Sequence, residues 1–202
     1  MKYFSKLPLI DYPQSDGSTI TMTNIITRTY LISQTAKEPL LYYEYSLKDS
    51  DLPEIVANKY YGAPEQFWLL SLSDQTKFLD PQWDWPLTLI NFNLYLTGKY
   101  GSVSNAISQI HHYEKKMTNT NVLSGEFNEF VTIIGAQEYA NTTIGTTTYT
   151  LPDGSQVEQT ITKSEVTAYD YEYQANEDKR NINLIDADNV SSIEEQFVKL
   201  YT

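Results

Sequence analysis

The chain has 202 residues, 41% of them apolar, with a formal net charge of -12 and no cysteine. That length can bury a sizeable core. Lysine and arginine are too few to grip a phosphate backbone or an anionic lipid surface, and disulfides and thiolate chemistry are absent by composition. No apolar run reaches the ~20 residues of a membrane span, and the first residues lack a signal-peptide core, so a soluble, unsecreted protein is expected.

In chain order, residues 1–35 read as an extended N-terminal arm. They are rich in Thr, Ser, Ile and Tyr and have no sustained helical period. A short extended piece is expected around Thr19–Met22 and a short helix near Asn24–Tyr30. From Leu41 to Leu47 the residues alternate, with Leu41, Tyr43, Tyr45 and Leu47 on one face of a strand. Asp51 and Glu54 then have capping-box spacing, and Pro53 suits a first helical turn. Ile55, Val56 and Tyr60 form the apolar face of that helix, and Gly62 stands where a helix end favours a left-handed residue. Pro64 opens a second helix carrying Phe67, Trp68, Leu70 and Leu72. Trp83–Leu89 reads as a strand returning beside the first. Together these form a βααβ unit over residues 36–90.

Residues 91–124 read as a helical connector. Helical spacing runs from Ile90 to about Met117, broken at Gly98–Gly101, with His111, His112 and lysines at a favourable helix C-terminus. Residues 125–163 change character to Thr, Gly, Val and Ile. The sequence LPDGS at Leu151–Ser155 is a hairpin turn signal. Strands at Phe127–Ile134, Thr146–Leu151 and Gln156–Thr162 make an antiparallel β-hairpin insertion. Residues 164–202 read as helix, strand and helix: a helix from Ser164 to about Lys179, a strand at Asn181–Ile185, and a last helix opened by Ser191 and Glu194 with Ile193, Phe197, Leu200 and Tyr201 on its apolar side.

Few residues point to chemistry. His111 and His112 are adjacent, so on a helix they face apart and cannot readily share a metal. The acidic pairs Asp49/Asp51, Asp186/Asp188 and Glu194/Glu195 could serve a glycoside hydrolase, but each sits where a helix start favours negative charge. No phosphate-binding glycine loop and no nucleophile elbow occurs. No catalytic residue, metal or cofactor is expected. Trp68, Trp83 and Trp85 could stack on sugar rings or anchor a core or an interface, and seventeen tyrosines suit half-buried contact surfaces.

The stretch YYEYSLKDSDLPEIVANKYYGAPEQFWLLSLSDQ resembles the LysM-like segment of the baseplate wedge protein 53 family of contractile-tailed phages. TMTNIITRTY, LDPQWDWPL, KYGSVSNAISQIHHYEKK and NEDKRNINLIDADNVSSIEEQFVKLY resemble the same family, in its order, over well more than half the chain. Tyr43, Pro53, Glu54, Ala57, Tyr61, Gly62, Pro64, Trp68, Asp84, Trp85 and Pro86 match its pattern; the 125–163 insertion matches it poorly. The resemblance implies an α+β protein with a LysM-like βααβ unit, and a non-enzymatic virion component made in the host cytoplasm. It implies docking to other baseplate wedge proteins and to tail hub or sheath-proximal proteins, linking neighbouring wedges around the hub, with neither nucleic acid nor membrane as partner. The residues expected to carry protein contacts are Tyr43, Tyr61, Gly62, Trp68, Trp83, Trp85, Phe197 and Tyr201. Because LysM modules bind N-acetylglucosamine polymers, peptidoglycan binding is the alternative reading.

Overall fold

The computed structural model describes residues 3–27, 29, 39–73 and 84–201, the last by its backbone alone. Among them are seven α-helices and eight strands, all paired antiparallel, and the fold is α+β. The chain divides into two units, one built from residues 1–88 and 176–202 and the other from residues 89–175.

The first unit opens with a hairpin. Strands β1 (Leu9–Pro13) and β2 (Thr19–Thr23) pair from Leu9↔Thr23 to Pro13↔Thr19, and none of their residues is buried. Asn24–Thr27 form a turn, where a helix was expected; Arg28 and Tyr30 lie outside the described residues.

Strand β3 (Tyr42–Ser46) pairs with β8 (Asn181–Ile185), from Tyr42↔Ile185 to Ser46↔Asn181. The return strand expected at Trp83–Leu89 does not form. Trp83 lies outside the described residues, and the chain from Trp85 to Thr88 is irregular. Two anchors explain this. The Trp85 indole Nε1–H donates to the Asp51 carbonyl at 2.8 Å. The Asn176 side-chain amide takes both backbone groups of Leu87, accepting its N–H at 2.7 Å and donating to its carbonyl at 3.1 Å. Backbone needs that a strand would meet are thus met by one side chain.

Between the two strands lie α1 (Pro53–Tyr61) and, after a 3-10 turn at Pro64–Gln66, α2 (Trp68–Ser73). Pro53 begins α1 and Gly62 ends it, at φ 75° with its N–H on the Asn58 carbonyl. Val56 and Ala57 face the core, and Ile55 lies outward, contrary to the expected face. The face expected for the first strand changes likewise: Leu41 and Leu47 are buried and Tyr43 is exposed. The last helix, α7 (Val190–Tyr201), starts before Ser191. Its approach is a 3-10 turn capped by Asp186, whose Oδ1 accepts the Asp188 N–H at 2.9 Å. Two clusters form the core: Trp68, Leu69, Ile185 and Phe197 in one, and Leu47, Val56, Leu70 and Leu184 in the other.

The second unit starts with α3 (Leu89–Tyr100) and α4 (Val103–Ser108). The break falls at Gly101, φ 82°, and Ser102 caps α4 by accepting the Asn105 N–H at 3.0 Å. The helix expected to continue through the two histidines is instead the twelve-residue strand β4 (Ile110–Asn121). It is central in a four-stranded sheet, order β5-β4-β7-β6, with β5 at Phe127–Ile134, β6 at Gly145–Thr150 and β7 at Gln156–Thr167. Pairing on both sides outweighs a local helical period. LPDGS makes the β6–β7 turn, with Gly154 at φ 84° and Asp153 Oδ1 accepting the Ser155 N–H at 2.9 Å. A short helix, α5 (Ala136–Asn141), follows β5 without having been expected. Lys163 Nζ donates to the Tyr139 and Thr142 carbonyls at its C-terminal end, where the helix dipole favours a cation. The helix expected from Ser164 begins later, as α6 (Ala168–Glu177). Thr167 takes the capping role, its hydroxyl accepting the Asp170 N–H at 3.1 Å.

Candidate docking surfaces

Several aromatic residues of the first unit turn inward. Trp68 is 5% exposed, and its ring centroid lies 5.3 Å from those of Tyr3 and Phe197. Its Nε1 has no hydrogen-bond partner among the described residues. Phe197 is buried beside it, and Tyr61 packs against the same cluster with its hydroxyl donating to the Ile185 carbonyl at 3.0 Å. Burial pushes that hydroxyl's pKa well above its ordinary range. The structure thus brings Tyr61, Trp68 and Phe197 together as core. Gly62 ends α1. Trp85 is half-buried against the second cluster. Tyr43 is 53% exposed, its ring stacked 5.6 Å from Tyr60. Trp83 and the Tyr201 side chain lie outside the described residues. A sugar ring needs an open aromatic face, and Trp68 offers none.

Asp51 does not cap α1. The N-cap position is Leu52, with no side-chain bond. The Asp51 carboxylate is instead buried and accepts from three donors: Tyr45 Oη at 2.9 Å, the Lys48 N–H at 3.0 Å and the Lys59 ammonium. Burial alone would raise this carboxyl's pKa. The donors outweigh burial and hold it below its ordinary range. Asp49 is not a helix cap either; Arg180 Nη2 reaches its Oδ1 at 2.5 Å and Nε pairs with Glu177 at 2.7 Å.

A like arrangement organises the second unit. Glu172 accepts from Lys99 Nζ at 2.6 Å, Tyr100 Oη at 2.8 Å and Tyr95 Oη at 3.0 Å. Burial opposes its charge, but those three bonds prevail and keep its pKa low. The Glu172 bond is likewise what raises Lys99. A carboxyl held low is ionised near neutrality and has no proton to donate, the reverse of a general acid. His111 and His112, on β4, have their Nδ1 atoms 2.8 Å apart. The His111 ring stacks on Tyr171 at 3.9 Å and His112 Nε2 lies 3.2 Å from Glu114 Oε1. Among the described residues no three His, Asp or Glu side chains are grouped to hold a metal ion.

Among the exposed large apolar side chains, two groups lie on strands. On the β1–β2 hairpin the cross-strand pairs Ile10–Met22 and Tyr12–Ile20 share one face, and all four side chains are exposed. On β5, Phe127, Phe130, Val131 and Ile133 are exposed. An isolated two-stranded hairpin is marginal in water, and exposed apolar strands are a mark of assembly surfaces. The hairpin pairs alternate along an arm that was expected to be extended; the β5 residues lie in the insertion, where no contact residue was expected.

A family model described as Base plate wedge protein 53 matches residues 3–200. The chain belongs to the phage base plate wedge protein 53 family. It is therefore a structural component of the tail baseplate, within the virion, and works among other baseplate components. The matched span runs across the 125–163 insertion and the five stretches that resemble the family, up to residue 200. No curated protein matches the chain. No helix among the described residues is long and apolar enough to cross a membrane.

Proposed function

We propose that this protein is a non-enzymatic wedge subunit that docks onto other wedge proteins and fastens neighbouring wedges around the tail hub. Assembly would take place in the host cytoplasm. The family match over residues 3–200 carries the reading. The hairpin of residues 9–23 supports it, since five residue pairs with no buried member gain little by standing alone. In this reading the arm over residues 1–35 and the LysM-like unit are separate docking modules, and Tyr43 and Trp85 lie at the latter's contact face. Several modest contacts on one chain combine through effective concentration, which suits a part joined to more than one neighbour.

Reconstitution with the other wedge proteins of the same phage tests the reading. Stable co-assembly at micromolar concentration is the expected result. A chain that stays monomeric beside every wedge, hub and sheath-proximal protein overturns it.

A further inference from the structure

We propose that the outer edge of β5 receives an extended segment of another baseplate subunit, which adds a fifth strand to the β5-β4-β7-β6 sheet. The inference rests on the wedge-docking reading and gives one of its contacts an address.

Among the described residues β5 is a terminal strand of the sheet, with β4 on one side only. Its eight residues pair with β4 without a bulge, from Tyr113↔Ile134 to Thr120↔Phe127. Among the described residues the far side therefore presents a row of unpaired N–H and C=O groups about 27 Å long at 3.4 Å per residue. Proteins guard such edges with lysine, proline, bulges or short strands. The sequence FNEFVTII has none of these guards. Its one charge, Glu129, is matched by Lys116 from β4 at 2.7 Å. Phe127, Val131 and Ile133 stand on one face of the edge at 57%, 51% and 69% exposure, with Phe130 on the other at 51%. The opposite edge, β6, reads GTTTYT and carries a single large apolar side chain. One edge is thus apolar and unguarded while the other is polar, an asymmetry that favours strand addition at β5.

Area and charge identify the occupant. An edge about 27 Å long and ~10 Å thick covers ~270 Å² per partner, well short of the ~800 Å² per partner in a stable interface. Two copies joined through β5 alone would be undersized. A segment of a neighbour already held by other contacts is not. On the face shared with Val131 the sheet carries Glu114, Glu129 and Glu158 against a single lysine, Lys116. The incoming segment should therefore alternate apolar residues with at least one lysine or arginine.

The test compares the full chain carrying Val131→Lys or Ile133→Lys with Thr148→Lys, which places the same charge on β6. Both β5 positions are solvent-facing, so unchanged melting shows that the fold is retained. Each variant is assayed for co-assembly with the other wedge proteins, expecting at least a tenfold loss for the β5 variants and none for Thr148→Lys. Hydrogen exchange of the unmodified chain, free and inside baseplates purified from virions, provides a second readout. It should show β5 amides slowing on assembly. Normal incorporation of both β5 variants, or β5 exchange that does not slow, overturns the proposal. So does a free-chain dimer abolished by Val131→Lys, which would make a second copy the occupant. Failure of the unmodified chain to co-assemble overturns the docking reading itself, and this inference falls with it.

Discussion

Removing the Asp51 carboxylate should destabilise the first unit by about 3 kcal/mol. In Asp51→Ala the Tyr45 hydroxyl and the Lys48 N–H lose their acceptor. Bonds to a charged partner contribute ~1.5–3 kcal/mol each, and the upper end is reserved for fully buried donors. Lys48 is exposed and Tyr45 half-buried, so water recovers part of each bond. Asp51→Asn keeps one carbonyl oxygen for those two donors and gives up the charge, so its cost should be nearer ~1 kcal/mol. Urea melts at pH 7, followed by tryptophan emission, measure both variants; Trp85 on the Asp51 carbonyl places a reporter at the site. The pH dependence has a definite sign. The folded carboxyl sits below its ordinary value of 3.8, so its contribution is complete above that value and disappears as pH falls through the lower, folded one. The gap between the parent and Asp51→Asn should be widest at pH 7 and close as pH falls through the lowered, folded value. A loss under ~1 kcal/mol for Asp51→Ala, or a parent–Asn gap that does not narrow in acid, would refute the reasoning.

Other outcomes follow from the same geometry. Glu172→Gln should cost the second unit ~1–2 kcal/mol in urea melts, because three donors converge on that carboxylate, and its effect should also fade in acid since the native pKa is lowered. Gly62→Val should lower the melting temperature by a few degrees, ~1–2 kcal/mol. Among the described residues no heavy atom beyond its chain neighbours lies within 4 Å of the added Cβ, so the cost comes from φ 75° alone, and Gly62→Ala should lose less in the same scan. Leu184→Ala, at a fully buried β8 position, should cost about 3 kcal/mol through lost burial and the cavity left behind, read as a lower urea midpoint.

Features set by a few neighbouring residues were legible in the sequence. Pro53 and Gly62 bracket α1, and Asp153 and Gly154 make the β6–β7 turn. The strand at Phe127–Ile134 and the one at Asn181–Ile185 were expected where they occur. Features decided by distant partners were not. Residues 110–117 continue the apolar spacing of Val103 and Ile107, and only pairing with β5 and β7 makes them strand. Asp51 and Glu54 have capping spacing, yet Tyr45 and Lys59 claim the Asp51 carboxylate. The partner of β3 arrives from the far end of the sequence, which no local pattern announces. The residues expected to carry protein contacts were the least legible. An aromatic ring reads alike whether it fills a core, as Trp68 and Phe197 do, or faces water, as Tyr43 does. The open edge of β5 had a signal, an uncapped run of Phe, Val and Ile without lysine or proline, but its meaning depends on standing last in the sheet.

That late arrival of β8 has a consequence for synthesis. Residues 42–46 leave the ribosome long before residues 181–185 exist, so at roughly 5–20 residues per second the nascent module waits about 7–27 seconds for the strand that pairs with β3. Leu184 and Ile185, and after them Val190, Ile193 and Phe197, are the last residues to reach the interior. A polypeptide that stops before Asn181 lacks the partner of β3 and cannot complete the two-stranded sheet of its first unit.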